Sequence, residues 1–140
     1  MSKEKLFKVF VYGSLLKGQH NHDRILKDSQ FVTEATIRGN IYHLGGFPAV
    51  IVDKVALKHN NDIVVGEVYE VNQNTLDQLD ILEGVSFGMY ERKLTTATRI
   101  DEKTMRVYYY EYKFAMRHNA IKLPSNTKWS KWYEAFKKGQ

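Results

Sequence analysis

Short apolar runs alternate with polar turns along this chain, and the spacing of the apolar positions separates strands from helices. Leu6 to Tyr12 is β-branched and aromatic and breaks on Gly13, which reads as a buried first strand. Asn21 to Ser29 carries the apolar pair Ile25 and Leu26 and predicts a short helix. Phe31 to Leu44 is rich in Thr, Ile and Val, and Gly39 interrupts it like a bulge or bend. Gly45-Gly46-Phe47-Pro48 signals a loop, Ala49 to Val52 a short strand, Lys58 to Asp62 a turn, and Ile63 to Val71 another strand. Tyr90 to Ile100 and Met105 to Tyr112 predict a hairpin around Asp101-Glu102-Lys103. Helical spacing governs Asn74 to Glu83 and Thr127 to Lys138. Six or seven strands and two or three helices, without strict β-α-β alternation, predict an α+β domain around a curled sheet or small barrel.

Composition narrows the function classes. The 140 residues hold no Pro- or Ser-rich linker, repeat or low-complexity segment, so a single domain over residues 1–140 is expected. Cysteine is absent, which excludes disulfides, thiolate catalysis, iron–sulfur clusters and zinc–thiolate sites, and fits the cytoplasm. No apolar run approaches the roughly 20 residues that span a bilayer, and Met1-Ser2-Lys3-Glu4-Lys5 leads straight into a strand, so neither a membrane partner nor a signal peptide is expected. The net charge is +5, and Lys128, Lys131, Lys137 and Lys138 surround Trp129, Trp132 and Phe136. Such a tail could touch nucleic acid. The helical spacing of Trp129, Trp132, Tyr133 and Phe136 favours a docking face with solvated lysines instead, and no nucleic-acid partner is expected.

The break after the first strand is a candidate binding loop. Gly13 and Gly18 have the G-x-x-x-x-G spacing of a phosphate loop, but Gln19 and His20 stand where Lys and Ser or Thr must follow. The loop must hold something else. His20 and His22 form an H-x-H, but no further ligand stands at telling spacing; solvated loop histidines are expected, with no metal and no cofactor.

One carboxylate stands out. The helix can be capped by Asn74 or Thr75 at its start and by Gly84 at its end. At about 100° per residue, Leu76, Leu79 and Glu83 share a stripe, while Asp77, Gln78 and Asp80 can face water. Burial and the negative helix C-terminus would both raise the pKa of Glu83, as a general base near neutral pH requires. Helix geometry alone leaves a second outcome open, a frayed last turn with Glu83 bent to solvent.

Together these stretches resemble a known family. Phe10-Val11-Tyr12-Gly13-Ser14-Leu15 with Lys17-Gly18 is similar to the Tyr-Gly-(Ser/Thr)-Leu signature of the γ-glutamylcyclotransferase-like proteins. Leu79-Asp80-Ile81-Leu82-Glu83-Gly84, followed by Tyr90-Glu91-Arg92, resembles that family's catalytic segment. Gly39-Asn40-Ile41-Tyr42, Gly46-Phe47-Pro48-Ala49 and Val65-Gly66-Glu67-Val68-Tyr69 lie between in the family's order. The match covers about residues 6–112 and looks most like the compact bacterial branch and the γ-glutamylamine cyclotransferases.

The resemblance implies a small mixed β-barrel flanked by two to four helices. It implies a small-molecule γ-glutamyl substrate that closes on itself to 5-oxoproline and a free amine, in a monomer or homodimer. It assigns Tyr12, Gly13, Ser14 and Leu15 to substrate binding, Glu83 to catalysis and Tyr90 to the pocket. The substrate's own α-amine is the nucleophile, so no serine or cysteine nucleophile is needed, and Glu83 is the expected base. Successive N–H groups at Gly13 can hold a carboxylate or oxyanion, and one preorganised oxyanion donor is worth about 3 kcal/mol in the barrier. Ser14 can instead satisfy its own turn, and Tyr12 can be a core aromatic. Arg92 can pair with substrate or, preferably, with a surface acid. Tyr108 and Tyr110 share a strand face, so one of them can line a pocket. The alternative from another class is a related barrel that binds a γ-glutamyl or amino-acid-like molecule without turnover.

Overall fold

The computed structural model describes residues 4–19 and 21–139. His20 of the H-x-H pair lies outside the described residues. Eight strands and two α-helices form among them: β1 Leu6–Val11, β2 Gln30–Arg38, β3 Asn40–His43, β4 Pro48–Ile51, β5 Ile63–Asn72, α1 Gln73–Leu82, β6 Tyr90–Arg99, β7 Thr104–Tyr112, β8 Ile121–Lys122 and α2 Trp129–Lys138. Five strands close into a barrel in the order β1-β5-β2-β6-β7, and β4-β3-β8 make a separate small sheet. The barrel is mixed because β1 and β7 meet in parallel, at Val9 and Tyr108, while the other pairings are antiparallel.

Side-chain alternation builds two cores from the same strands. Phe10 of β1, Ile37 of β2, Val64 and Val68 of β5, Ala97 of β6 and Val107 of β7 point into the barrel. Val9 and Val11, Tyr69 and Val71, and Tyr110 and Tyr112 point outward and pack with Leu76 and Leu79 of α1. Strands buried on both faces read as continuous apolar runs; Val9 to Val11 of β1 do so, while Leu6 and Lys8 at the start of the expected buried strand are exposed.

Several expected boundaries move. The run Phe31 to Leu44 is two strands in two sheets: at Gly39 the chain leaves the barrel, and the Gly39 N–H donates to Asp62 O at 3.1 Å. The expected helix over Asn21–Ser29 is a single π-helical turn, His22–Leu26, with Leu26 buried. Strand β8 escapes the sequence pattern because two residues carry no periodicity. Helix α1 is capped two or three residues earlier than expected, by Asn72, whose Oδ1 accepts the Thr75 N–H at 2.9 Å.

Helix α2 docks on its own chain. Trp129 is buried and donates from Nε1 to His43 Nδ1 at 3.2 Å, and Trp132, Tyr133 and Phe136 pack their rings around the same histidine. Lys128 departs from the expected solvated row: its ammonium lies 3.6 Å from the buried carboxylate of Glu67. Among the described residues, no helix is long and apolar enough to cross a membrane.

Candidate active site

The first wall of the site is the loop leaving β1. Its turns are closed by Leu16 N–H on Gly13 O at 2.9 Å and Gln19 N–H on Leu16 O at 2.9 Å. Asn21 fastens it twice, from its backbone N–H to Ser14 O at 3.0 Å and from its amide to Ser14 Oγ at 2.8 Å. The Ser14 hydroxyl is therefore built into the turn. His22 is not the solvated loop residue expected: its Nδ1 lies 3.0 Å from Leu15 O and its ring packs on Tyr69. Glu67 reaches in from β5 and accepts the Lys17 N–H at 2.9 Å. Gly13 earns its place through contact, since a Cβ there would stand 2.7 Å from Pro48 Cγ. Among the described residues, the N–H groups of Gly13, Ser14 and Leu15 enter no hydrogen bond with protein.

The second wall comes from α1. Glu83 caps the helix, its N–H bonded to Leu79 O at 2.9 Å, and Gly84 follows at φ 62°, the left-handed conformation suited to glycine after a helix. The last turn is thus closed rather than frayed, and the Glu83 side chain is only partly exposed. Burial pushes its carboxyl up to about 7.

Tyrosines complete the enclosure, each with its hydroxyl engaged. Tyr12 donates to Tyr110 O at 2.6 Å and Tyr90 to Pro48 O at 2.9 Å. Tyr110 donates to Asp80 Oδ1 at 2.6 Å, and Asp80 Oδ2 takes Arg92 Nη1 at 2.8 Å. Burial raises the pKa of all three tyrosines, so they present neutral rings and fixed hydroxyls. Arg92 pairs with an acid of its own chain; that acid is Asp80, which does not face open water as the helix pattern suggested.

Tyr12, Gly13, Ser14, Leu15, Glu83 and Tyr90 all line one pocket of about 410 Å³ including its mouth, together with Phe10, Val11, Phe47, Pro48 and Tyr110. Tyr12 is both things the sequence left open, a buried core aromatic and a lining residue. Of the pair on β7, Tyr110 lines the pocket, while Tyr108 lies under the Arg92 guanidinium and against Phe7. Pro48, Phe47 and Asp80 were not singled out as site residues. Asp80 had a legible signal, because three residues before Glu83 on a helix is only about 60° around the axis.

A closed mixed barrel thus carries one pocket lined by a carboxyl, Glu83, and by Gly13, Ser14 and Leu15, whose N–H groups are unengaged by protein among the described residues. The family model for "Gamma-glutamyl cyclotransferase, AIG2-like" matches residues 9–131, and the chain belongs to that family. It is 35% identical over 104 residues to protein MJ1514 of Methanocaldococcus jannaschii, covering 74% of this chain and 82% of that one. It is 38% identical over 90 residues to the gamma-glutamylaminecyclotransferase of Rattus norvegicus, covering 60% of this chain but only 58% of the rat protein. The crystal structure of an AIG2-like protein from Mus musculus superposes with a TM-score of 0.67 at 23% identity, over 79% of this chain and 80% of that one, a likeness of fold.

Proposed function

We propose that this chain is a γ-glutamylcyclotransferase that releases 5-oxoproline and a free amine from a γ-glutamyl amide, with Glu83 as general base and then general acid. The observation that carries the reading is the meeting in one pocket of the Glu83 carboxyl, which burial pushes up to about 7, with Gly13, Ser14 and Leu15, whose N–H groups enter no hydrogen bond with protein among the described residues.

The steps balance without a cofactor or protein nucleophile. Glu83 takes a proton from the substrate's α-ammonium. The freed nitrogen attacks the γ-carbonyl carbon, and the charge that builds on oxygen is met by loop N–H groups. The C–N bond to the leaving amine then breaks as Glu83 returns the proton to that nitrogen, and the ring nitrogen gives the extra proton it carries after attack to the emptied Glu83 carboxylate, which passes it to the free amine. Fixed tyrosine rings exclude water, so an internal amine rather than hydroxide reaches the carbonyl. A pure binding module has no use for a carboxylate facing an anionic ligand. A cytoplasmic location fits a chain without cysteine.

The test is 5-oxoproline release from a panel of γ-glutamyl amides by wild type and Glu83→Gln. The variant is expected to lose at least a thousandfold in kcat with its fold intact. Full turnover by the variant would remove Glu83 from the chemistry.

A further inference from the structure

No protein group grips the Glu83 carboxyl directly: among the described residues it enters no hydrogen bond or ion pair. Its place is set by the last turn of α1, which Leu79 packs into the core. The polar tether of that turn is Asp80. Tyr110 of β7 donates its hydroxyl to Asp80 Oδ1 at 2.6 Å, and Arg92 of β6 donates from Nη1 to Oδ2 at 2.8 Å. Arg92 and Tyr110 stand directly opposite each other in the β6–β7 register, so Asp80 clamps a cross-strand pair. The guanidinium also lies over the Tyr108 ring, 5.0 Å from its centroid. Tyr110 passes the hold on. Its backbone O accepts the Tyr12 hydroxyl at 2.6 Å, and both rings line the pocket with Glu83.

The same residues decide which charges Glu83 meets. In the pocket it shares the lining with Tyr12, Tyr90 and Tyr110, all neutral. Asp80 brings a negative charge to within one helical turn, about 5–6 Å between Cβ atoms at this spacing, and Arg92 offsets it. All three charges act on the Tyr110 hydroxyl: Asp80 and Glu83 push its pKa up, and Arg92 pulls it down. Other charged groups near α1 stand apart from this set. Lys8 of β1 pairs with Glu70 of β5, Glu67 of β5 faces Lys128, and residues 84–88 carry no charge. The turn His22–Leu26 carries Asp23 and Arg24, and Arg24 lines a separate groove with Gln78, Ile81 and Leu82. Arg117 acts on Tyr90.

We propose that Asp80 is a positioning residue for Glu83: held by Tyr110 on one oxygen and by Arg92 on the other, it fixes the turn that presents Glu83 and the tyrosines around it as one unit. The catalytic consequence rests on the cyclotransferase reading. Neither Asp80 nor Arg92 lines the pocket, so both act through Glu83 and the tyrosines. Breaking the pair from either side loosens the turn, but the two breaks leave opposite charges behind. Asp80→Asn leaves the Arg92 cation, which favours ionised Glu83. Arg92→Gln leaves the Asp80 anion, which disfavours it.

The experiment follows 5-oxoproline release against pH for wild type, Asp80→Asn, Arg92→Gln and the variant carrying both changes. The Glu83 carboxyl is titrated by NMR in the same four proteins. Each single variant is expected to lose roughly tenfold or more in kcat, with KM changed less. The Glu83 titration and the acid limb of kcat/KM should move down in Asp80→Asn and up in Arg92→Gln, each by about half a pH unit. Both should return toward wild type in the double variant. A merely structural tether lowers stability and rate without opposite shifts of one titration. Absent shifts, shifts of one sign, or an unchanged kcat in Asp80→Asn overturn the proposal. Should Arg92→Gln not fold, Arg92→Lys keeps the charge without the fork; it must hold the titration at the wild-type pH while lowering kcat, and a shifted titration overturns the proposal. Opposite NMR shifts in a protein that releases no 5-oxoproline keep Asp80 as the residue that positions Glu83 and remove the cyclotransferase. Turnover with an unmoved titration does the reverse.

Discussion

The buried carboxylate of Glu67 on β5 accepts the backbone N–H of Lys17, 50 residues away in sequence, at 2.9 Å. The same carboxylate takes the Tyr69 hydroxyl at 3.0 Å and faces the Lys128 ammonium at 3.6 Å. One side chain therefore ties the pocket loop, the barrel and the entry to α2. Removing it strands buried donors and a half-buried cation. Glu67→Ala is expected to lose about 3 kcal/mol in urea denaturation, and to raise KM more than it lowers kcat because the loop loses an anchor away from the chemistry.

Glu83 is expected to cost stability. Its folded pKa, about 7, stands above the ordinary carboxylate value. A raised folded pKa means the folded state holds its proton longer than the unfolded state. The contribution is fully present below the unfolded value near 4 and is lost as pH rises through 7. Glu83→Gln, which keeps the shape and removes the titration, should gain up to about 3 kcal/mol over wild type at pH 8 and almost nothing at pH 4. Paired melting curves at the two pH values check this. For the reaction, wild-type kcat/KM should rise with pH through an acid limb centred near 7.

Gly13 is a matter of contact. A methyl group there would stand 2.7 Å from Pro48 Cγ and 3.0 Å from Cδ, and the proline ring has little room to yield. Gly13→Ala is expected to cost about 1–3 kcal/mol from overpacking and to cut kcat/KM at least a hundredfold, since the displaced wall carries both the N–H groups and Pro48. An unchanged crystal structure with full activity would refute this.

His43 should make the C-terminal helix acid-sensitive. A neutral imidazole accepts at one nitrogen only; here Nδ1 takes the Trp129 N–H at 3.2 Å, and burial lowers the pKa of the ring. A depressed folded pKa means stability present above the unfolded value near 6.5 and lost as pH falls below it. Wild-type melting temperature should drop between pH 7 and 5 more steeply than that of His43→Gln. Tryptophan fluorescence should follow the same difference, because Trp129 and Trp132 both pack on this ring.

Much of this architecture was legible from local pattern. The run Leu6 to Tyr12, the hairpin from Tyr90 to Tyr112 and the aromatic face of α2 follow from spacing alone, because each is set by neighbours a few residues apart. Barrel closure was not legible, since Val9 against Tyr108 is a meeting of distant residues that no window contains. The same division holds at the site. The glycine break after Tyr12 and the helical phase of Glu83 are local facts. The pairing of Asp80 depends on Tyr110 arriving beside it, and the tethering of His22 depends on how the loop folds back to Leu15.

The bond from Tyr12 to Tyr110 joins residues 98 apart, just beyond the single parallel pairing that shuts the ring of strands. The pocket is thus set across the barrel's seam, with β1 supplying one lip and β7 the other. A molecule held there works as a clasp. Its binding free energy is added to that of closure, so occupancy should slow amide exchange in both strands, and the site can be complete only once the chain's most widely separated barrel partners have met.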